Sequence, residues 1–166
     1  MSYNSRQWKT MIKTNVMRLL DAANINYKTE EYEVNEDDLS GMHVAEQSNK
    51  SADELFKTLV ARGDKNGIAI FCIPVNCELD LKKAAMVSGN KKVEMVHMKE
   101  LLGLTGYIRG GCSPIGMKKK YPTFMDETAQ LFDEIGVSAG VRGAEVILNP
   151  TVLADFVGAD FFDLVK

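Results

Sequence analysis

The sequence has few of the residues from which common catalytic and metal sites are built. Its 166 residues include two histidines, His43 and His97, and three cysteines. Neither histidine stands in an HExxH or HxH setting, and no Cys-x-x-Cys pair occurs, so a zinc site is not expected. The GxGxxG and GxxxxGK[ST] motifs are also absent, which argues against the common dinucleotide and P-loop sites. We therefore predict neither a metal nor a cofactor.

Long hydrophobic segments are absent as well. The longest apolar run, GIAIFCIPV at 67–75, is far shorter than the roughly 20 residues that cross a bilayer. The first ten residues, MSYNSRQWKT, are polar and lack the apolar stretch of a secretory signal. An odd number of cysteines does not suit a disulfide framework. We expect a cytoplasmic protein without a membrane partner, in which residues 1–10 form a loosely held leader and residues 11–166 form one domain.

Charge is distributed unevenly along the chain. The formal net charge is −3, yet residues 57–121 carry 12 Lys and Arg against 5 Asp and Glu, and the remainder carries 8 against 18. The lysines are clustered at 82–83, 91–92 and 118–120. A basic face on an acidic protein favours local phosphate recognition, because screening limits the reach of exposed charges to about 8–10 Å. Solvated lysine-rich turns are the alternative explanation.

Hydrophobic periodicity predicts short helices and strands in irregular alternation, which is typical of an α+β fold with a mixed sheet. The clearest element is a hairpin of strands 55–62 and 68–75, whose second strand is apolar on both faces and therefore central. Further predicted strands lie at 27–34, 92–96, 121–126 and in two pieces within 136–150. Helices are predicted at 13–24, 42–47, 78–89, 97–104 and 150–158.

Lys57 is the first residue whose position suggests chemistry. Side chains alternate along a strand, so Lys57 shares a face with Leu55 and Leu59. A desolvated ammonium on such a face needs an anion or a set of carbonyl groups as partners. An edge lysine that extends to water is the alternative.

The second such feature is the segment RGGCSPIGMKKK at 109–120. Glycines allow the backbone to approach a ligand closely and to align N–H groups towards an anion, as in an oxyanion hole. A plain turn before a strand would need the same residue types. Cys112 within this segment is either an activated thiol or a small apolar residue, and the segment alone does not decide between them.

Several segments together resemble the YbaK/EbsC family, the single-domain bacterial aminoacyl-tRNA deacylases related to the editing domain of bacterial prolyl-tRNA synthetase. The matching segments are FKTL (56–59), LDLKKAA (79–85), KKVEM (91–95), TGYIRGGCSPIGMKKK (105–120) and VSAGVRG (137–143). The resemblance runs in order from about residue 13 to residue 165. The KKAA and VSxGxRG segments are similar to the YbaK branch, the cysteinyl-tRNA(Pro) deacylases.

The resemblance implies a mixed, mostly antiparallel sheet curled into a barrel-like core with peripheral helices. It places the catalytic groups at Lys57, Gly110 and Gly111, and the substrate pocket at Tyr32, Thr58, Cys112, Ser113, Ser138 and Gly140. In the family the residue at the position of Cys112 is usually apolar and is not a nucleophile. Contacts to the phosphates of the tRNA acceptor stem are expected from Lys82, Lys83, Lys118, Lys119 and Lys120.

The implied function is a trans-editing hydrolase that removes mischarged cysteine from tRNA(Pro), with the sulfur of the substrate attacking its own ester. Prolyl-tRNA synthetase is the expected protein partner, and DNA is not expected to bind. Deacylation of alanyl-tRNA(Pro) and a silent tRNA- or synthetase-binding module remain as alternatives. A thiol hydrolase or redox protein that depends on Cys112 is a further, more distant alternative.

Overall fold

The computed structural model describes residues 13–166. Within them the five α-helices are α1 Asn15–Ala22, α2 Gly41–Gln47, α3 Leu81–Val87, α4 Met98–Thr105 and α5 Pro150–Val157. The eight strands are β1 Lys28–Glu31, β2 Phe56–Gly63, β3 Gly67–Pro74, β4 Val93–Met95, β5 Thr123–Asp126, β6 Ile135–Ser138, β7 Ala144–Leu148 and β8 Ala159–Phe162. A 3₁₀ helix, Glu127–Leu131, follows β5. The predicted leader, residues 1–10, lies outside the described residues.

The strands form two sheets. One sheet has the order β1-β7-β6 and is antiparallel, and the other has the order β4-β2-β3-β5-β8. In the larger sheet β4, β2 and β3 pair antiparallel, whereas β3, β5 and β8 pair parallel. A single bridge between Leu55 and Gly136 links the two sheets. The α+β class is confirmed, but these sheets do not close into a barrel, so the barrel-like core is not established.

The hairpin and the helix ends follow the local sequence closely. Strands β2 and β3 pair from Phe56 opposite Pro74 to Gly63 opposite Gly67, as predicted. Helix α5 begins at Pro150, and Gly158 ends it in the left-handed conformation with φ 71°. Proline is favoured at the first helical position because its fixed φ suits a helix and its missing N–H would have no partner there.

Two hydrophobic cores lie on opposite faces of the larger sheet. Ile70 and Cys72 of β3 belong to the core that also contains helix α1, while Phe71 and Ile73 belong to the core beneath helix α3. Strand β3 is therefore apolar on both faces because each face is covered by a separate core, which confirms its predicted central position. No helix in the described part of the chain has the length and apolar character needed to span a membrane.

The C-terminal strand β8 was not predicted from the sequence. It pairs in parallel with β5, with Thr123 opposite Ala159 and Asp126 opposite Phe162. The buried Asp126 carboxylate accepts a hydrogen bond from the Leu164 backbone N–H at 2.9 Å and also bonds Thr128. Such pairing depends on partners far away in the sequence, and the residues of β8 themselves show little periodicity.

Candidate active site

A cavity of about 380 Å³ lies between strand β2, helix α2 and the loop that contains the glycine-rich segment. Its wall includes six of the residues that the resemblance places in the site: Tyr32, Lys57, Thr58, Gly110, Cys112 and Ser138. The volume falls within the roughly 300–1,000 Å³ range of small-molecule sites. The fold thus brings together groups that are more than one hundred residues apart in the sequence.

Lys57 and Thr58 are presented by β2 on opposite faces of the sheet. Phe56 and Val60, on the same face as Thr58, belong to the first core, whereas Leu59 packs against the second. The alternation that predicted the position of Lys57 is therefore confirmed.

Burial lowers the pKa of the Lys57 ammonium, and nearby Cys77 and Glu78 partly offset this effect. No ion pair found within residues 13–166 includes Lys57. Within the described part of the chain its ammonium therefore has no charged partner.

The glycine-rich loop packs directly against the turn between β6 and β7. Gly110 has φ 86°, and the Arg142 Nε donates a hydrogen bond of 2.8 Å to the Arg109 carbonyl. A Cβ at Gly111 would lie 3.2 Å from backbone atoms of Val141 and Arg142. Glycine is favoured at 111 because any larger residue would push the two backbones apart by a few tenths of an ångström.

The N–H groups of this loop are not equivalent. The Gly111 N–H donates to the Ile108 carbonyl at 3.0 Å and is therefore occupied within a turn. Gly111 also does not lie on the cavity wall, whereas Gly110 and Cys112 do. Among the described residues the N–H groups of Gly110 and Cys112 have no protein acceptor. On the cavity wall, the loop amides without a protein acceptor among the described residues are thus those of Gly110 and Cys112, while the N–H of Gly111 is already bonded.

Cys112 contributes a thiol to the cavity wall in a setting that keeps the thiol protonated. Burial raises its pKa to about 12, and a hydrogen bond with Thr105 only partly offsets this rise. A thiolate is the nucleophilic form of cysteine, so at neutral pH Cys112 is a poor nucleophile. This geometry supports the interpretation of Cys112 as a small apolar residue.

Ser113 and Gly140 support the site without lying on the cavity wall. Ser113 is fully buried, and its Oγ accepts the Ile115 N–H at 3.2 Å. Gly140 has φ 90°, and its N–H donates to the Ser138 Oγ at 3.1 Å. Both residues therefore hold the shape of the loops behind the cavity and do not line it.

Residues 136–140, GVSAG, also have the G-x-S-x-G spacing of an esterase nucleophile elbow. In that motif the serine sits on a sharp turn between a strand and a helix. Here Ser138 ends β6, and the chain continues into the antiparallel strand β7. The required strand-turn-helix context is missing, so this match does not indicate an esterase.

None of the five lysines expected to contact tRNA lines the cavity. Lys82 is exposed on α3, and residues 118–120 are exposed in the loop before β5. Lys83 is engaged within the protein, because its Nζ lies 2.8 Å from the Asp163 Oδ2 and 2.7 Å from the Val165 carbonyl oxygen. Lys83 thus anchors the C-terminal segment to α3.

Glu145 is a cavity residue that the sequence patterns did not indicate. It lies on β7 directly opposite Ser138 of β6, with only 9% of its surface exposed. Its Oε2 atom is buried and has no hydrogen-bond partner among residues 13–166. Burial raises the pKa of this carboxyl to about 8, and the nearby charge of Glu30 adds to the rise. The signal in the sequence is a single acidic residue within the otherwise apolar strand AEVIL.

The cavity rim and the surrounding structure add few other reactive groups. His97 and Arg109 lie on the cavity wall and are exposed. Within residues 13–166 no three His, Cys, Asp or Glu side chains are grouped so as to hold a metal ion. A second, larger cleft of about 1240 Å³ runs along α1 and β1, but Lys57 and the glycine-rich loop are not part of its wall.

A family model for the aminoacyl-tRNA editing domain matches residues 41–156, which include all the cavity residues except Tyr32 and Leu39–Ser40. This chain belongs to the aminoacyl-tRNA editing domain family. The chain is also 49% identical over 156 residues to a protein of Enterococcus faecalis (strain ATCC 700802 / V583) named "Putative Cys-tRNA(Pro)/Cys-tRNA(Cys) deacylase EbsC". That alignment covers 94% of this chain and 95% of the relative.

Solved structures show that the editing-domain fold extends over most of the chain. A crystal structure described as "a putative trans-editing enzyme for prolyl tRNA synthetase" matches with a TM-score of 0.78 at 24% identity, covering 93% of this chain and 99% of that one. A crystal structure of a hypothetical protein matches with a TM-score of 0.83 at 20% identity, covering 92% and 100%. The predicted resemblance to the YbaK/EbsC family is confirmed.

Proposed function

We propose that this editing domain removes cysteine that has been wrongly attached to tRNA(Pro). The observation that carries this proposal is a small cavity where, among residues 13–166, Lys57 has no ion pair, the amides of Gly110 and Cys112 have no protein acceptor, and the Cys112 thiol stays protonated. Such a site suits a substrate that brings its own nucleophile, and cysteinyl esters do so. The name of the relative at 49% identity supports the same substrate.

In the proposed reaction the cysteinyl sulfur attacks the carbonyl carbon of its own ester. A carbon–sulfur bond forms, the bond between that carbon and the ribose oxygen breaks, and the thiol proton ends on the ribose hydroxyl. Water then opens the cyclic thioester to give free cysteine. The protein supplies alignment, because a well-oriented intramolecular attack is worth about 7–11 kcal/mol of the barrier.

Each cavity group has a part in this scheme. The N–H groups of Gly110 and Cys112 stabilise the negative charge that develops on the carbonyl oxygen. The ammonium of Lys57 binds the phosphate or ribose end of the tRNA. Exposed lysines at 82 and 118–120 contact the acceptor stem through phosphates, which makes binding salt-dependent and largely independent of base sequence. Lys83 contributes less, since it is held by Asp163.

Selection of tRNA(Pro) requires a further contact, because phosphate contacts do not distinguish one tRNA from another. We propose prolyl-tRNA synthetase as the partner that supplies this selection. A complex of this kind would place the protein where mischarged tRNA is released, in the cytoplasm. Gel filtration of the two proteins with and without tRNA(Pro) tests this part separately from catalysis.

The central experiment measures ester loss from cysteinyl-tRNA(Pro) and alanyl-tRNA(Pro) with wild type, Lys57→Ala and Cys112→Ala. We expect rapid cysteinyl loss that Lys57→Ala abolishes and Cys112→Ala preserves. Faster alanyl loss would assign the protein to the sister activity. Loss of activity in Cys112→Ala would favour a protein thiol as nucleophile. Ester loss no faster than in buffer would leave a binding module without catalysis.

A further inference from the structure

Glu145 presents an unusual combination of burial and missing partners. The residue is 9% exposed and lies on the cavity wall, and one of its carboxylate oxygens has no hydrogen bond from the described residues. No ion pair within the described residues includes it. Buried polar atoms without partners are rare and costly, at about 1–3 kcal/mol or more for charged groups. A ligand that supplies the missing partner therefore gains affinity at this position.

The surroundings indicate what kind of ligand group fits. Glu30 stands directly opposite Glu145 on the neighbouring strand β1, and it accepts hydrogen bonds from the Ser48 Oγ and the Asn49 N–H. Glu30 is thus already satisfied, and it adds negative charge on the same face of the sheet. The phenol of Tyr32 is close enough for the charge of Glu145 to raise its pKa, after the larger effect of burial. The position therefore favours a cation.

Every aminoacyl ester carries such a cation, the α-ammonium group, two bonds away from the scissile carbonyl carbon. We propose that the Glu145 carboxylate receives the α-ammonium of the aminoacyl ester and thereby orients the ester beneath the Gly110 and Cys112 amides. This inference rests on the proposed deacylase function and adds the recognition of the amino group to it. It also explains why an acidic residue is placed on the cavity wall of an enzyme whose nucleophile comes from the substrate.

The proton balance of this binding step follows from the site. In the free protein, burial and Glu30 keep Glu145 protonated at neutral pH. When the ammonium binds, its positive charge favours the carboxylate, and the proton of Glu145 passes to solvent. The other ionisable groups of the cavity wall are those of Tyr32, Lys57, His97, Arg109 and Cys112.

The test compares two esters that differ only in the amino group. One is cysteinyl-tRNA(Pro), and the other is 3-mercaptopropionyl-tRNA(Pro), which keeps the thiol and lacks the amine. We expect wild type to prefer the cysteinyl ester by about tenfold or more in kcat/KM, mainly through KM, and Glu145→Gln to lose most of that preference. Glu31→Gln, an exposed neighbour on β1, is the matched control and should keep it.

The outcomes separate the two proposals. Equal loss on both esters in Glu145→Gln would make Glu145 a structural residue and overturn the inference. Absence of any preference in wild type would overturn it while the deacylase function stands. If wild type cleaves neither ester, calorimetry with amide-linked cysteinyl-adenosine and its desamino counterpart decides the inference by binding alone. Equal affinities would refute it, and a preference for the amine that Glu145→Gln removes would support it.

Discussion

Replacing Glu145 by glutamine should change how the stability of the protein depends on pH. In the folded protein the pKa of Glu145 is raised from 4.5 to about 8, chiefly by burial. Between these two values the folded chain holds one proton more than the unfolded chain. The free energy of unfolding therefore falls as pH rises, by up to about 1.4 kcal/mol for each pH unit.

The sign follows from the identity of the group. A carboxyl whose pKa is raised on folding contributes stability below its unfolded pKa and loses that contribution as pH approaches its folded pKa. Over the whole window the loss is on the order of 5 kcal/mol, a large fraction of the roughly 5–15 kcal/mol that stabilises a typical domain. Glutamine has similar size and does not titrate, so the variant lacks this loss.

Urea unfolding at pH 5, 6, 7 and 8 and constant ionic strength measures the effect. We expect Glu145→Gln to gain stability relative to wild type steadily from pH 5 to pH 8. Other titrating groups are common to both proteins, so they cancel in the difference. Parallel profiles for the two proteins would refute the reasoning, because they would mean that Glu145 ionises normally. Glu31→Gln, on the exposed edge of β1, should follow wild type at every pH.

Three further predictions concern other parts of the structure. Gly111→Ala should lower the free energy of unfolding by about 1–3 kcal/mol and lower the activity, because the added Cβ would lie 3.2 Å from the backbone of Val141 and Arg142. An unchanged midpoint of chemical unfolding would contradict this contact. Asp126→Ala should lower the free energy of unfolding by about 1–3 kcal/mol and expose the Leu164 amide to hydrogen exchange. Retained protection of that amide would show that other contacts hold β8. Burial raises the pKa of Cys112 to about 12, so at pH 8 Cys112 should react with iodoacetamide much more slowly in the folded protein than in the denatured protein. Rapid labelling of the folded protein, detected by mass spectrometry, would show an accessible thiolate.

Local patterns in the sequence predicted the elements that depend on near neighbours. The β2–β3 hairpin follows from two apolar runs joined by GDKNG, and α5 follows from Pro150 and Gly158 at its two ends. The alternation of β2 placed Lys57 on the opposite face from Phe56 and Val60. These features depend on backbone preferences and on the periodic alternation of side chains, and both are determined by the sequence of a short segment.

Contacts between distant segments decided the details of the site. Gly111 has the same residue type as Gly110, but it packs against the distant backbone of Val141 and Arg142, from which a Cβ would lie only 3.2 Å away. The pairing of β7 with β1 and β6 places Glu145 beside Ser138 and opposite Glu30. The elevated pKa of Glu145 and its oxygen without a hydrogen bond arise from that packing, so the segment AEVIL by itself could not predict them.

The sequence by itself determined the family, the α+β class and six of the residues that line the cavity. It did so because motif spacing, strand period and helix-capping residues are properties of short segments. They can be recognised without knowing which other segments pack against them. Only the tertiary structure decided which backbone N–H groups are free, which lysines are already paired, and that a buried carboxylate completes the cavity wall. Hydrogen-bond satisfaction and desolvation depend on what surrounds a group in space, and residues far apart in the chain supply those surroundings.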